Sequence, residues 1–243
     1  MLVVNGLTKK YGKLVANDHL SFEAPAGQIT VLLGANGAGK STAIKAIAGL
    51  LRYEGSITIG AHDNKSTEAK HLLGYVPEAP SVYDLLSVQE HMEFIARAYS
   101  LKDGWKERSE MLLERFELAD KGKKMGKELS KGMQQKVSIC CALLHSPTML
   151  LVDEPMVGLD PHAIKQLKAT LAEERAHGVA VLISTHLIDS VEELWDRALI
   201  LVEGKIAAVR TREELARNSE TLEELFFSIT EGASTADKDG ALA

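Results

Sequence analysis

A chain of 243 residues with 45% hydrophobic and 26% charged residues can bury a core as an ordinary soluble globular protein. Its formal net charge of −6 argues against a dedicated nucleic-acid binder, which would present a basic face, so no nucleic acid is expected as partner. The two cysteines, Cys140 and Cys141, are neighbours, which excludes a disulfide framework, points to a reducing compartment and fits small buried side chains on a helix.

The opening MLVVNGLTKKYGK reads as a strand entering a turn and lacks the apolar core of a signal peptide. Residues 1–29 and 53–61 predict short strands of an antiparallel sheet. GQITVLLG, TMLLVDEP, VAVLIST and RALILVEG are short aliphatic runs bounded by turn residues, as in buried strands of a mainly parallel sheet. Helical patterns cover Lys40 to Leu51, Gly132 to Leu144, Pro161 to Ala176 and Ile188 to Asp196. Strands alternating with helices imply an α/β fold with helices on both faces of the sheet. Residues 78–128 break the alternation; VQEHMEFIARAYSL and WKERSEMLLERFEL predict two helices of a helical subdomain reaching to about residue 140. LEELFFSIT predicts a last helix, after which residues 231–243 are small and polar and predict a disordered tail. No apolar run approaches the roughly 18–20 residues that span a bilayer, so membrane work would pass through a partner and the chain is expected to be cytoplasmic.

Between the strand run TVLLG and the helix from Lys40 stands G-x-x-x-x-G-K-S, from Gly34 to Ser41. Glycines let successive N–H groups curl around phosphate oxygens, and the helix points its positive end at the same anion. Gly34, Asn36, Gly37, Ala38, Gly39, Lys40, Ser41 and Thr42 are the candidate phosphate-binding residues. Lys40 would bridge the β- and γ-phosphates and the Ser41 hydroxyl would ligate Mg²⁺. ATP and Mg²⁺ are therefore the expected cofactors.

Downstream, TMLLVDEP puts Asp153 and Glu154 at the carboxyl end of a strand, the edge that faces the ligand crevice in an open parallel sheet. Asp153 can reach the magnesium shell, and Glu154 can orient or deprotonate the attacking water.

Together with LSKGMQQK (129–136), GLDP (158–161) and STH (184–186), these stretches resemble the ATP-binding subunit of an ABC transporter, over residues 1 to about 210. The resemblance implies a P-loop NTPase core with an antiparallel β-subdomain and a helical subdomain. It implies that Tyr11 stacks on adenine, although a lone tyrosine also fits an exposed turn. It further implies that Ser130 and Gly132 meet the γ-phosphate held by a second subunit, and that Asp160 lies in the loop linking the two sites. His186 would contact the γ-phosphate and help hold Glu154 and the water. The implied partners are a second copy or a homologous ATP-binding subunit, and an integral membrane permease that would hold the chain at the cytoplasmic face of the membrane.

Two departures narrow the reading. Lys131 and Met133 stand where the family's commonest signature, LSGGQ, has glycine and glutamine, while Ser130 and Gly132 remain. Glu78 stands where the family usually has a glutamine that senses Mg²⁺ and water; a carboxylate is still a hard oxygen ligand but adds negative charge. GYVPEAPSVYDLLSVQEH resembles the export branch that pairs with a separate membrane subunit, bacterial Ecs-like and peptide- or drug-exporting ATPases. The apolar Val82, Tyr83 and Leu85, in the stretch from Glu78 to Phe94, fit either a groove for a permease helix or the core. The alternative to a transport motor is a soluble ATP-switched assembly or ribosome-associated factor, which a single domain without a coiled coil disfavours.

Overall fold

The computed structural model describes the backbone of residues 1–239 and side chains to residue 230. Its frame is a six-stranded sheet in the order β10 (Lys205–Thr211), β9 (Arg197–Val202), β3 (Ile29–Leu33), β8 (Ala180–Thr185), β7 (Met149–Asp153) and β6 (Leu73–Val76). All neighbours in it are parallel except β10, which returns antiparallel along β9. The four apolar runs read from the sequence are β3, β7, β8 and β9. Every residue of β3, β7 and β8 is buried, as expected where both faces of a parallel sheet are covered.

Successive side chains alternate between two cores. Ile29, Val31, Leu33, Leu150, Val152, Val181 and Ile183 face the helices α3 (Val88–Ala98), α4 (Trp105–Arg115), α5 (Lys131–Leu144) and α6 (Pro161–Ala176). Leu32, Met149, Leu151, Ala180 and Leu182 face α1 (Lys40–Ile47), α2 (Thr67–Leu72) and a second, antiparallel sheet. That sheet has the order β2 (Leu14–Ala24), β1 (Leu2–Tyr11), β4 (Glu54–Ile59) and β5 (His62–Asp63), and matches the antiparallel region expected from residues 1–29 and 53–61.

Three boundaries differ from the sequence reading. Helix α1 stops at Ile47, where Gly49 takes a positive φ of 75° and closes the last turn. Ile188 to Asp196 is not a helix but a short 3-10 turn, Ile188–Ser190, followed by irregular chain. Its backbone is taken up by tertiary partners: the Asp196 N–H donates to Ile29 O, and the Trp195 carbonyl accepts from Arg212 Nε. Buried Val191, Leu194 and Trp195 reward that path over helical periodicity. At the end, α7 (Arg212–Asn218) precedes α8 (Leu222–Asp239), whose backbone stays helical past residue 230 where a disordered tail was expected. No proline interrupts that stretch; the remainder of the expected tail, 240–243, lies outside the described residues.

Candidate functional site

The loop 34–39 leaves the carboxyl end of β3 and its shape is set by close packing. A Cβ at Gly34 would lie 2.6 Å from the Leu201 carbonyl oxygen, and one at Gly39, where φ is 105°, would lie 2.3 Å from that of Ala16. The side chain of Asn17 donates to Gly39 O at 3.1 Å, and the Gly204 N–H donates to Ala38 O at 3.0 Å. The loop is thus pinned by β2 on one side and by the β9–β10 turn on the other.

The loop opens into a cavity of about 720 Å³ that Tyr11, Asn36, Gly37, Gly39, Lys40, Ser41, Thr42, Glu78, Glu154 and His186 all line. Gly34 and Ala38 do not line it and serve behind it, as carbonyl partners of Lys40 and Gly204. Lys40 Nζ donates to Gly34 O at 2.7 Å and Ala35 O at 3.2 Å, and lies 3.8 Å from Glu154 Oε1. Burial lowers the Lys40 pKa, and the nearby carboxylates of Glu154, Asp153 and Glu78 oppose that shift.

Glu154 follows β7 in a left-handed conformation, φ 45°, which a glutamate adopts only when its surroundings compel it. The compulsion is visible: its N–H donates to Ser184 O at 3.0 Å, its Oε2 accepts from Thr185 Oγ1 at 3.0 Å, and its Oε1 lies 2.9 Å from His186 Nδ1. The side chain is thereby buried yet aimed into the cavity beside Lys40.

Asp153 is buried and accepts from Ser184 Oγ through Oδ1, while its Oδ2 makes no hydrogen bond. Burial raises its pKa, Ser184 and Ser41 pull it back, and Glu78 and Glu154 push it up further. A buried carboxylate oxygen without a donor, near a hydroxyl and two other carboxylates, suits a cation. Among the described residues no three His, Cys, Asp or Glu side chains form a metal cage.

Ser130, Gly132 and Asp160 lie elsewhere. Ser130 caps α5, accepting from Met133 N at 3.3 Å, and Asp160 caps α6, accepting from Ala163 N at 2.9 Å. Neither they nor Gly132 line the cavity, although Gly132 packs against Gly158, so these two loops form one separate surface. The sequence reading missed Ala16, Asn17, Glu203 and Gly204 beside the phosphate loop, and Thr185 behind Glu154. A buried asparagine inside a strand and the V-E-G-K hairpin turn were the available signals.

The family model described as ABC transporter matches residues 17–157. A model described as AAA domain, putative AbiEii toxin, Type IV TA system, matches 127–190, the stretch that includes Asp153 and Glu154. The chain is 36% identical over 240 residues to the ABC-type transporter ATP-binding protein EcsA of Bacillus subtilis (strain 168), covering 95% of this chain and 96% of that one. It is 32% identical over 227 residues to the lantibiotic transport ATP-binding protein SrtF of Streptococcus pyogenes, covering 93% and 96%. Among solved structures, one titled "Structure of ATP binding subunit of ABC transporter" superposes with a TM-score of 0.88 at 34% identity, covering 95% of this chain and 99% of that one. The phosphate loop, Glu154 and His186 line one cavity, and with these matches this chain belongs to the ABC transporter family as an ATP-binding, ATP-hydrolysing subunit.

Proposed function

We propose that the chain hydrolyses Mg²⁺-bound ATP between two such subunits and drives export of a peptide, drug or lipid-like substrate through a separate membrane permease. The observation that carries the hydrolytic step is the clamped Glu154. With Oε2 fixed by Thr185 and Oε1 between His186 at 2.9 Å and Lys40 at 3.8 Å, it is oriented to receive a proton from water in line with a bound γ-phosphate. Lys40 would exchange its two loop carbonyls for phosphate oxygens, and amides of 37–42 would take the remainder. Mg²⁺, held by Ser41 and Asp153 with Glu78 beside them, would supply charge neutralisation at the phosphates.

The cavity is open, so ATP bound there leaves phosphate facing solvent, and the exposed surface of Ser130, Gly132 and Asp160 on a second subunit would close it. Export is supported by relatives named for linearmycin resistance and lantibiotic transport. Among the described residues no helix is long and apolar enough to cross a membrane, which fits a subunit held at the cytoplasmic face by a permease. A groove of about 530 Å³ lined by Leu50, Tyr75, Pro80, Ile95, Tyr99 and His145 could seat the permease's cytoplasmic helix. Burial pushes the His145 pKa down to about 4, so that ring is neutral near neutral pH, while Lys45 adds a cationic side chain to the groove wall. Tyr83, Leu85 and Phe94 are exposed beside this region, whereas Val82 packs on the core.

The test is Glu154→Gln. Turnover should fall by a factor on the order of 10²–10⁴ while ATP binding persists, and ATP should then hold the variant as a dimer on gel filtration. Unchanged turnover would remove Glu154 from the chemistry.

A further inference from the structure

Lys136 lies on the second turn of α5, and its side chain is only 9% exposed. A buried ammonium requires partners, and this one has two carboxylates from different segments. Its Nζ lies 3.4 Å from Glu117 Oε2 and 3.3 Å from Asp160 Oδ2. Glu117 ends the turn after α4 with a positive φ of 59°, and its other oxygen is 3.4 Å from His162 Nδ1 on the first turn of α6. Asp160 is at the same time the N-cap of α6. One lysine therefore joins the end of α4, the body of α5 and the start of α6.

The same two loops touch at a second point. A Cβ on Gly132 would come within 2.9 Å of the Gly158 carbonyl oxygen, so the start of α5 and the turn before α6 are in direct backbone contact. Contact alone lets the loops slide; an ion pair one turn further along fixes their relative orientation. Lys136 lines no part of the nucleotide cavity, and its burial costs desolvation that a purely packing role would avoid by using an apolar side chain.

We propose that Lys136 is a positioning residue that locks the 130–132 loop to the 158–160 turn, so both are presented to a partner subunit's nucleotide as one surface. This rests on the two-subunit reading above. Lys136→Met keeps most of the side chain's volume and removes the charge. Asp160→Asn keeps an equally good helix cap and removes the carboxylate that ties Lys136 to the 158–160 turn, leaving Glu117 beside the ammonium.

The experiment measures steady-state ATPase activity, ATP affinity and ATP-dependent dimerisation in the full chain. Lys136→Met should lower kcat about tenfold with KM for ATP within about twofold, and Lys136→Arg should restore most of the loss. In a Glu154→Gln background, Lys136→Met should weaken the ATP-held dimer while single-subunit ATP affinity stays put. The Lys136→Met/Asp160→Asn double variant should be no worse than the poorer single, because the Lys136–Asp160 contact that Asp160→Asn removes is already lost in Lys136→Met. The proposal is overturned if Lys136→Met keeps kcat within about twofold, if arginine fails to rescue, or if the two losses multiply. If Lys136→Met does not fold, Asp160→Asn and Lys136→Arg still decide it: the first must lower kcat and the second must not. A Glu154→Gln chain that stays monomeric with ATP would instead sink the two-subunit reading, and this proposal with it.

Discussion

The nucleotide cavity and the surface formed by residues 130–132 and 158–160 use similar chemistry to opposite ends. In the cavity, Lys40 and Glu154 are buried and already bonded: the lysine to two loop carbonyls, the glutamate to Thr185 and His186. On the other surface, Ser130 and Asp160 are exposed and engaged chiefly as caps of their own helices. Groups that must act at the moment of reaction are held in place beforehand, which lowers the reorganisation that reaction requires. Under the proposed two-subunit reading, the groups that would complete a site in another molecule are left open, and are ordered instead by helix caps and by the buried Lys136. On that reading one chain carries two unlike half-sites, a finished one and an unfinished one.

Substitutions can break that contrast in a graded way. Glu154→Gln, with its expected loss on the order of 10²–10⁴ in turnover, is the largest, because it removes the proposed base while leaving the pocket's shape intact. Next is Lys40→Ala. Losing one charge-assisted contact of about 1.5–3 kcal/mol should weaken ATP binding to the isolated subunit roughly 10- to 150-fold, read by calorimetry. Ser130→Ala should do the reverse. It removes a cap worth about 1 kcal/mol, leaves single-subunit ATP affinity where it was, and lowers turnover at subunit concentrations near the dimer dissociation constant. If Ser130→Ala weakened binding to the isolated subunit as much as Lys40→Ala, the two surfaces would not be functionally separate.

Most of the finished half-site was legible in the sequence because its residues are contiguous and their types are chemically constrained. A phosphate cradle calls for the glycines before Lys40-Ser41, and the proposed cation and base call for acids at Asp153 and Glu154, where packing alone would continue an aliphatic strand. The central strands were legible for a related reason: burial on both faces leaves only apolar residues, with turns on either side. What surrounds these residues was not legible. Asn17, Gly204 and Thr185 reach the site through pairings between distant segments, and a sequence shows the residues but not the register. The same cause defeated the helix expected at Ile188 to Asp196, where partners at Ile29 and Arg212 claim the backbone. Strands β6 and β10 went unread because each is only part-buried or short, and their patterns fall between strand and turn.

The smallest effect belongs to Tyr11, a cavity residue whose role the sequence left open between an adenine platform and an exposed turn. It stands at the end of β1, 48% exposed, with Lys9 Nζ 4.9 Å from the ring centroid and Leu14 and Val15 continuing the same wall. Stacking a base on an aromatic ring contributes about 1–3 kcal/mol, and a half-exposed ring belongs at the lower end. Tyr11→Ala should therefore weaken ATP binding about fivefold, and Tyr11→Phe should change it little, since the ring face and not the hydroxyl does the stacking. Because every base offers a π-face, GTP should lose affinity in the same proportion, so the ATP-to-GTP ratio stays constant across both variants. Titration of the two nucleotides against the three proteins reads this directly. Equal affinity for ATP in wild type and Tyr11→Ala would return Tyr11 to the exposed turn, and would mean that the finished half-site grips its ligand by the phosphates alone.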